Sequence, residues 1–489
     1  MQKKKGWLLL LTLVLLFGAF SGCKSSKNPN STTKDVTSDD GNSERLPVPV
    51  EQEQHDNKVF TILIPEENEL DSYKENPGNR VESSIFRVTE SVNKRLGVLI
   101  QYKPLTCTWT TRATFNQAIQ QQFWVDKSEY DLIMGVHSCT YADSVQNNRV
   151  VDLLSLKSVD LGHPWYLKDA VENYSLNGKL YGAIGDASLY TYSEMGVLFF
   201  NQETIRSNSM TSPYEYVQDD GKWYAETMFQ LALNVSQVNT DNAVDLKTGT
   251  FGYLGQATVS RGWLTAFDVH LTEKDQSGNV YFREGMGTLN IDKYDYLYNK
   301  FENNPYYLHT ARDNDWEDAE SCFSGGRSLF YHGFLRNAAS FRDVAWDYGI
   351  VPMPKYNEQQ TEFYTPLGTS CMVMMIMRNA DDIELSAKVL ELLSYDKYYD
   401  SVPEYYEVIL KIQYAKDPTC SAMLDIIREN CVFSLEAAYT SFLSPAPYNL
   451  FQMDSYWRND KVHGSASTYY TSNASVWNIQ LRRLYNGLK

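Results

Sequence analysis

The stretch NGKLYGAIGDASLYTYSEMGVLFFNQETI, residues 177–205, decides the fold. Asn177-Gly178 is a tight-turn signal, because both residue types accept the left-handed backbone such a turn needs. Leu180–Ile184 reads as a short strand, broken by Gly185 and Asp186. Gly196–Phe200 is a second, wholly apolar strand, and a helix begins after Asn201. A short apolar run with no polar alternation belongs inside a sheet covered on both faces.

Upstream, Lys58–Ile64 is a largely apolar strand closed by Pro65. Val81, Ile85, Val88, Val92 and Leu96 recur at spacings of four and three, the pattern of one buried helix face, and Gly97 stops that helix. Val98–Tyr102 is a second strand, the region of Phe115 to Phe123 a second helix, and Tyr130–Met134 a third strand. This alternation predicts a parallel α/β sheet. Ligands bind such sheets at the carboxyl ends of the strands. Those ends carry Glu66-Glu67, Cys107-Thr108-Trp109 and Val136-His137.

The central stretch resembles the extracellular solute-binding proteins of bacterial ABC importers. Gly178, Lys179, Tyr181 and Gly182 match the family's G-K-x-Y-G strand, and Phe199, Phe200 and Asn201 match the apolar strand ending in F-F-N. Where the family often has proline, this chain has Ile184 followed by Gly185-Asp186. Three later segments extend the resemblance: Cys322–Phe330 with the turn Tyr331–Phe334, then Asp347–Pro354, then Tyr364–Val373. Together they cover most of the chain after residue 58.

The resemblance implies an α/β, two-lobed periplasmic-binding-protein-like fold, with hinge-linked discontinuous lobes and a cleft between them. The first lobe is expected at 58–190 plus 370–415 and the second at 191–369 plus 416–489. It implies a monomeric receptor of the carbohydrate type, without cofactor or metal, which delivers a small solute to ABC permease subunits. A sugar offers apolar C–H faces to aromatic rings and hydroxyls to polar side chains, and buried polar groups need partners. The expected ligand-binding residues are Trp109 and Tyr141 after first-lobe strands, and Asp186, Tyr190 and Tyr192 in the first crossing. Trp263, Tyr331, His332 and Phe334 belong to the second lobe, and Tyr364 opens the return crossing. Each also has a plain structural reading. An isolated Trp is more often core, and Trp223 and Trp346 are read as core or surface. Asp186 is equally suited to capping a turn.

The formal net charge of -17 argues against nucleic acid, whose phosphates demand basic patches. The 35 Tyr and 10 Trp suit grooves as well as core. No nucleophile-elbow, zinc-protease or phosphate-loop motif occurs, and Asp313–Asp318 lacks the glycine and distal Glu of a calcium loop. The alternative class is a surface glycan-processing enzyme, which needs two carboxylates set across a glycosidic bond, or a sensor-coupled binding module. Seven cysteines show no zinc spacing. Besides Cys23 there are six, which allow fifteen pairings. Cys107 and Cys139 each follow a predicted strand and could meet at one edge of the sheet; the alternative is six buried or semi-exposed free thiols.

The chain opens with Lys3, Lys4 and Lys5, then an apolar run from Trp7 to Phe20. That run is about 21 Å of helix at roughly 1.5 Å per residue, short of a bilayer core. It reads as a signal peptide, residues 1–22. Phe20-Ser21-Gly22-Cys23 resembles a lipobox, which implies lipidation of Cys23 and anchoring to the extracytoplasmic face of the cell membrane. Residues 23–57, rich in Ser, Asn, Asp, Thr and Lys, are expected to be a flexible tether. Cys23→Ser is expected to move the protein from the membrane fraction to the supernatant on fractionation. Unchanged membrane association would refute the anchor.

Overall fold

A computed structural model describes residues 45–487 apart from 220, 236–244, 305–306, 312–314, 415–417, 434–441, 446, 448–449 and 451–465. The signal peptide, Cys23 and the first part of the expected tether lie outside the described residues, as do Asp313 and Asn314.

The chain begins with strand β1 (Lys58–Pro65), helix α1 (Arg80–Leu96), β2 (Val98–Leu105), α2 (Arg112–Phe123), β3 (Leu132–Val136) and α3 (His137–Gln146). Strands β4 (Gly196–Asn201) and β5 (Phe251–Gln256) follow, then a hairpin of β6 (Thr272–Lys274) and β7 (Val280–Phe282). Next come β8 (Leu308–Ala311), β9 (Ser328–Phe334) and β10 (Tyr348–Val351). Last are β11 (Thr365–Pro366), β12 (Met372–Ile376) and β13 (Cys431–Val432).

Two principal sheets result. The first has the order β12-β3-β1-β2 and the second β10-β4-β9-β5-β8. β1 runs parallel to both β2 and β3, as the strand–helix alternation predicts. β12 joins antiparallel to β3, so the first sheet is completed by a strand from far down the chain. The chain therefore leaves the first sheet after β3 and returns to it at β12.

Local chemistry sets the elements. Asn79 caps α1 by accepting the Glu82 N–H, and Gly97 ends it in the left-handed conformation. The predicted face of α1 is buried: Val81, Ile85, Val88, Val92 and Leu96 lie against the first sheet and its neighbours. Each such side chain contributes roughly 1.5–3 kcal/mol on burial. Asn177 and Gly178 both have positive φ and close a two-residue turn between Leu176 and Lys179. The run Leu180–Ile184 differs from expectation. It makes one bridge, Ala183 to Met374, in place of a full strand. The bonds of Ala183 and Met374 to one another lay this run beside β12.

The tether is shorter than the sequence suggests. Val50 is buried, and the backbones of Glu53 and His55 donate to the carbonyls of Arg95 and Leu96 at the end of α1. The Lys388 ammonium reaches Glu53 at 2.6 Å. Residues 50–57 thus belong to the folded body, because they satisfy the carbonyls that the end of a helix leaves open.

A buried ion pair secures the point where the chain leaves the first sheet. Asp71 and Lys397 both have fully buried side chains, 2.8 Å apart. Asp71 also accepts from Leu189 N at 3.1 Å, Ser188 Oγ at 2.6 Å and Asn68 Nδ2 at 3.0 Å. Lys397 donates a second bond to Ala187 O at 2.7 Å. Removing one partner from a buried pair leaves an uncompensated charge, at a cost of about 3–5 kcal/mol. Lys397→Met is expected to lower stability by that order in denaturant unfolding, and Asp71→Asn in the same chain to recover part of it. An unaltered unfolding midpoint in the single variant would refute the anchoring role.

Candidate functional site

The segment Gly185–Met195 carries the chain from the first sheet to β4. Gly185 is required there by close approach: a Cβ would stand 2.2 Å from the Trp165 carbonyl oxygen. Asp186 follows, nearly buried, and accepts the Tyr192 hydroxyl at 2.7 Å. Burial raises its carboxyl to about 6, against the pull of that hydrogen bond and of the Arg428 charge. The Arg428 guanidinium lies over the rings of Tyr192 and Tyr406, at 5.2 and 5.1 Å from their centroids. Asp186, from the first crossing, and Arg428, from the helix Pro418–Glu429, thus share one aromatic-walled polar region.

A second polar group lies along the same crossing. Tyr190, half-buried, donates its hydroxyl to the Glu67 carbonyl at 3.0 Å. The Glu67 carboxylate accepts from Thr106 Oγ1 at 2.7 Å and Cys107 N at 2.9 Å, joining the ends of β1 and β2. Glu194, buried, forms an ion pair with Arg336 just beyond β9. The Arg336 guanidinium lies 4.4 Å from the centroid of Phe334. The second Glu194 carboxylate oxygen is buried and has no hydrogen-bond partner among the described residues. Gly368 closes the group, since a Cβ there would stand 2.6 Å from that oxygen and 2.7 Å from the Phe334 ring. The backbone fixes these positions: Gly368 N donates to Glu194 O at 2.8 Å, and Arg336 N to Ser193 O at 3.0 Å. The crossing, the exit of β9 and the return between β11 and β12 therefore meet in one place.

Several expected binding residues are placed elsewhere. Trp263 is fully buried, stacked 5.4 Å from Phe229, and donates its indole N–H to the Tyr253 hydroxyl at 2.9 Å. His332 is also fully buried, with Nδ1 2.8 Å from the same hydroxyl. Burial depresses its imidazole to about 3, so it is neutral at ordinary pH and Nδ1 accepts from Tyr253. Tyr331 is packed between Phe323 and Phe341, with ring centroids at 5.5 and 5.2 Å. Tyr141 packs against Tyr174, with ring centroids 4.6 Å apart and the planes tilted by 40°. These four are buried in the core of this structure. Trp223 is core as expected, with its N–H on the Pro352 carbonyl at 3.0 Å, and Trp346 is half-buried.

Trp109 is 56% exposed beyond β2, with the Arg112 guanidinium 3.9 Å from its ring centroid. Tyr364 is half-buried just before β11. The structure thus brings together Asp186 with Tyr192, and Tyr190 and Phe334 with the Glu194–Arg336 pair. Glu194, Arg336 and Arg428 are absent from the sequence reading, which has Glu67 only as part of a strand end. Only the position of Glu194 inside the crossing stretch could have drawn attention to it. Among the described residues no group of three or more His, Cys, Asp or Glu is set to hold a metal ion, and no helix is long and apolar enough to cross a membrane.

No family model matches this chain, and no curated protein matches it. Solved structures do. The GacH receptor of Streptomyces glaucescens, known with acarbose, is 13% identical over 87% of this chain and 99% of its own, with a TM-score of 0.55. A cyclo/maltodextrin-binding protein complexed with maltotetraose is 10% identical over 87% of this chain and 96% of its own, TM-score 0.56. An ABC substrate-binding protein of Listeria monocytogenes in complex with cycloalternan is 12% identical over 88% of this chain and 98% of its own, TM-score 0.54. The fold is accordingly the two-lobed periplasmic-binding-protein-like fold, and these neighbours are binding proteins.

Trp263→Ala is expected to lower stability by about 3–5 kcal/mol through the cavity it leaves in the aromatic core. Chemical denaturation checks this. A variant as stable as the parent would place Trp263 outside the core.

Proposed function

We propose that the chain is a solute-binding receptor of an ABC importer, not an enzyme, and that it captures an oligosaccharide between its two lobes. The observation that carries the reading is a fold shared along almost the whole length of neighbours that hold acarbose, maltotetraose and cycloalternan. The crossing group supports it. Tyr190 and Phe334 offer ring faces to sugar C–H surfaces, while Asp186, Glu194, Arg336 and Arg428 offer charged hydrogen-bond partners to hydroxyls. The lobes comprise 58–190 with 370–415 and 191–369 with 416–489. Closure by hinge motion about the crossings brings them onto the solute. Trp109, at the rim beyond β2, is a further contact. The receptor acts as a monomer, needs no cofactor, hands its solute to permease subunits and is held to the extracytoplasmic face of the membrane by lipid on Cys23.

A thermal-shift screen tests the reading, using oligosaccharides, peptides, amino acids and polyamines. A ligand that binds only the folded state raises the melting temperature by mass action. The expected result is stabilisation by an oligosaccharide that is recovered uncleaved, and about fivefold weaker binding in Phe334→Ala, matching roughly 1 kcal/mol of ring contact. Turnover of the glycan would overturn the receptor reading. A response confined to peptides or polyamines would overturn the carbohydrate class.

A further inference from the structure

Cys107 and Cys139 lie beyond two different strands of the first sheet. β2 ends at Leu105 and β3 at Val136, with β1 between them. β1 stops at Pro65, and the loops after its two neighbours close over its end. There the Cys107 and Cys139 side chains come close enough for each to be the strongest influence on the other's ionisation. Both residues are held from outside the pair. Cys107 N donates to Glu67 Oε2 at 2.9 Å, and Asn116 Nδ2 donates to Cys139 O at 2.8 Å.

The two thiols are unequal. Cys139 is the third residue of the ten-residue helix α3, where backbone N–H groups favour negative charge. Its thiol is lowered, first by the neighbouring Cys107 thiol, then by Ser138 and the Arg112 charge, against burial and Glu67. The Ser138 hydroxyl is 3.9 Å from its sulfur. Cys107 is pushed up, first by Cys139 and then by burial. Cys139 is also the more accessible of the two, 8% exposed against 3%. One thiol is thus set to attack and the other lies within reach to resolve.

We propose that Cys107 and Cys139 form a redox pair that closes to an intramolecular disulfide across the carboxyl end of the first sheet, by exchange with a low-molecular-weight disulfide. The Cys139 thiolate attacks one sulfur of the small disulfide. A new S–S bond forms at Cys139, the small disulfide's own bond breaks, and one thiolate leaves. The Cys107 thiol then gives up its proton and attacks the Cys139 sulfur, and the second small thiolate leaves. The two cysteines are oxidised by two electrons, and one small disulfide is reduced to two thiols. The bond forms beside Glu67, whose carbonyl holds the Tyr190 hydroxyl of the crossing. The proposal stands independently of the transport reading.

The test uses the full chain, fully reduced, freed of reductant and incubated folded with excess glutathione disulfide. Remaining thiols are then alkylated, and the unreduced digest is mapped by mass spectrometry. The expected product links the Cys107 and Cys139 peptides, with Cys322, Cys371, Cys420 and Cys431 recovered alkylated. Cys107→Ser is expected to stop at one glutathionyl group on Cys139, and Cys139→Ser to leave Cys107 a free thiol. Recovery of both wild-type cysteines as alkylated thiols would overturn the proposal. So would a linkage confined to another pair, such as Cys371 with Cys431, or a glutathionyl group on Cys107 in place of Cys139.

Discussion

The buried pair of Asp71 and Lys397 is the constraint on which the architecture depends. It joins three segments that are remote in sequence: the turn after β1, the crossing at Ala187–Leu189, and the helix Ile383–Tyr399. Two charges removed from water are tolerated only when their remaining hydrogen-bonding positions are filled. Here the backbone of the crossing fills them, through Leu189 N and Ala187 O. The ion pair therefore demands one conformation of the crossing and rejects others. The path from the first sheet to the second begins from that fixed point.

Position along the crossing then separates core from site. The second sheet is closed by rings packed edge to face, among them Phe199, Phe323, Tyr331 and Phe341. Trp263, Tyr253 and His332 form one hydrogen-bonded chain through the Tyr253 hydroxyl inside that sheet's core. Tyr190, Glu194, Phe334 and Arg336 instead stand where three passages of the chain meet. The same residue types serve packing in one place and present polar and aromatic groups in the other. The neighbouring backbone decides which.

Much of the fold was legible from pattern. The apolar face of α1, its glycine stop, the Asn177-Gly178 turn and the parallel arrangement of the first three strands follow from local chemistry that any window of sequence displays. The site was less legible. Tyr190, Tyr192, Asp186 and Phe334 were singled out because they lie in or next to recognisable strand ends. Arg336 and Arg428 were not, since nothing in an isolated arginine indicates that a tyrosine or phenylalanine face will meet it. The tether was drawn too long because a polar composition does not reveal that Glu53 and His55 will satisfy the end of α1.

By itself the sequence determined the periodicities, turns and breaks, and hence an α/β chain of two sheets whose order of elements resembles solute-binding proteins. Those features depend on residues within a few positions of one another. Tertiary structure alone decided which aromatic residues are sealed and which are presented. It also decided that β12 completes the first sheet, that Asp71 finds Lys397, and that Cys107 meets Cys139. The physical reason is that burial and partnership are properties of surfaces brought together by long-range packing. The free energy of a charge, a thiol or a ring is set by those surroundings and not by its neighbours along the chain.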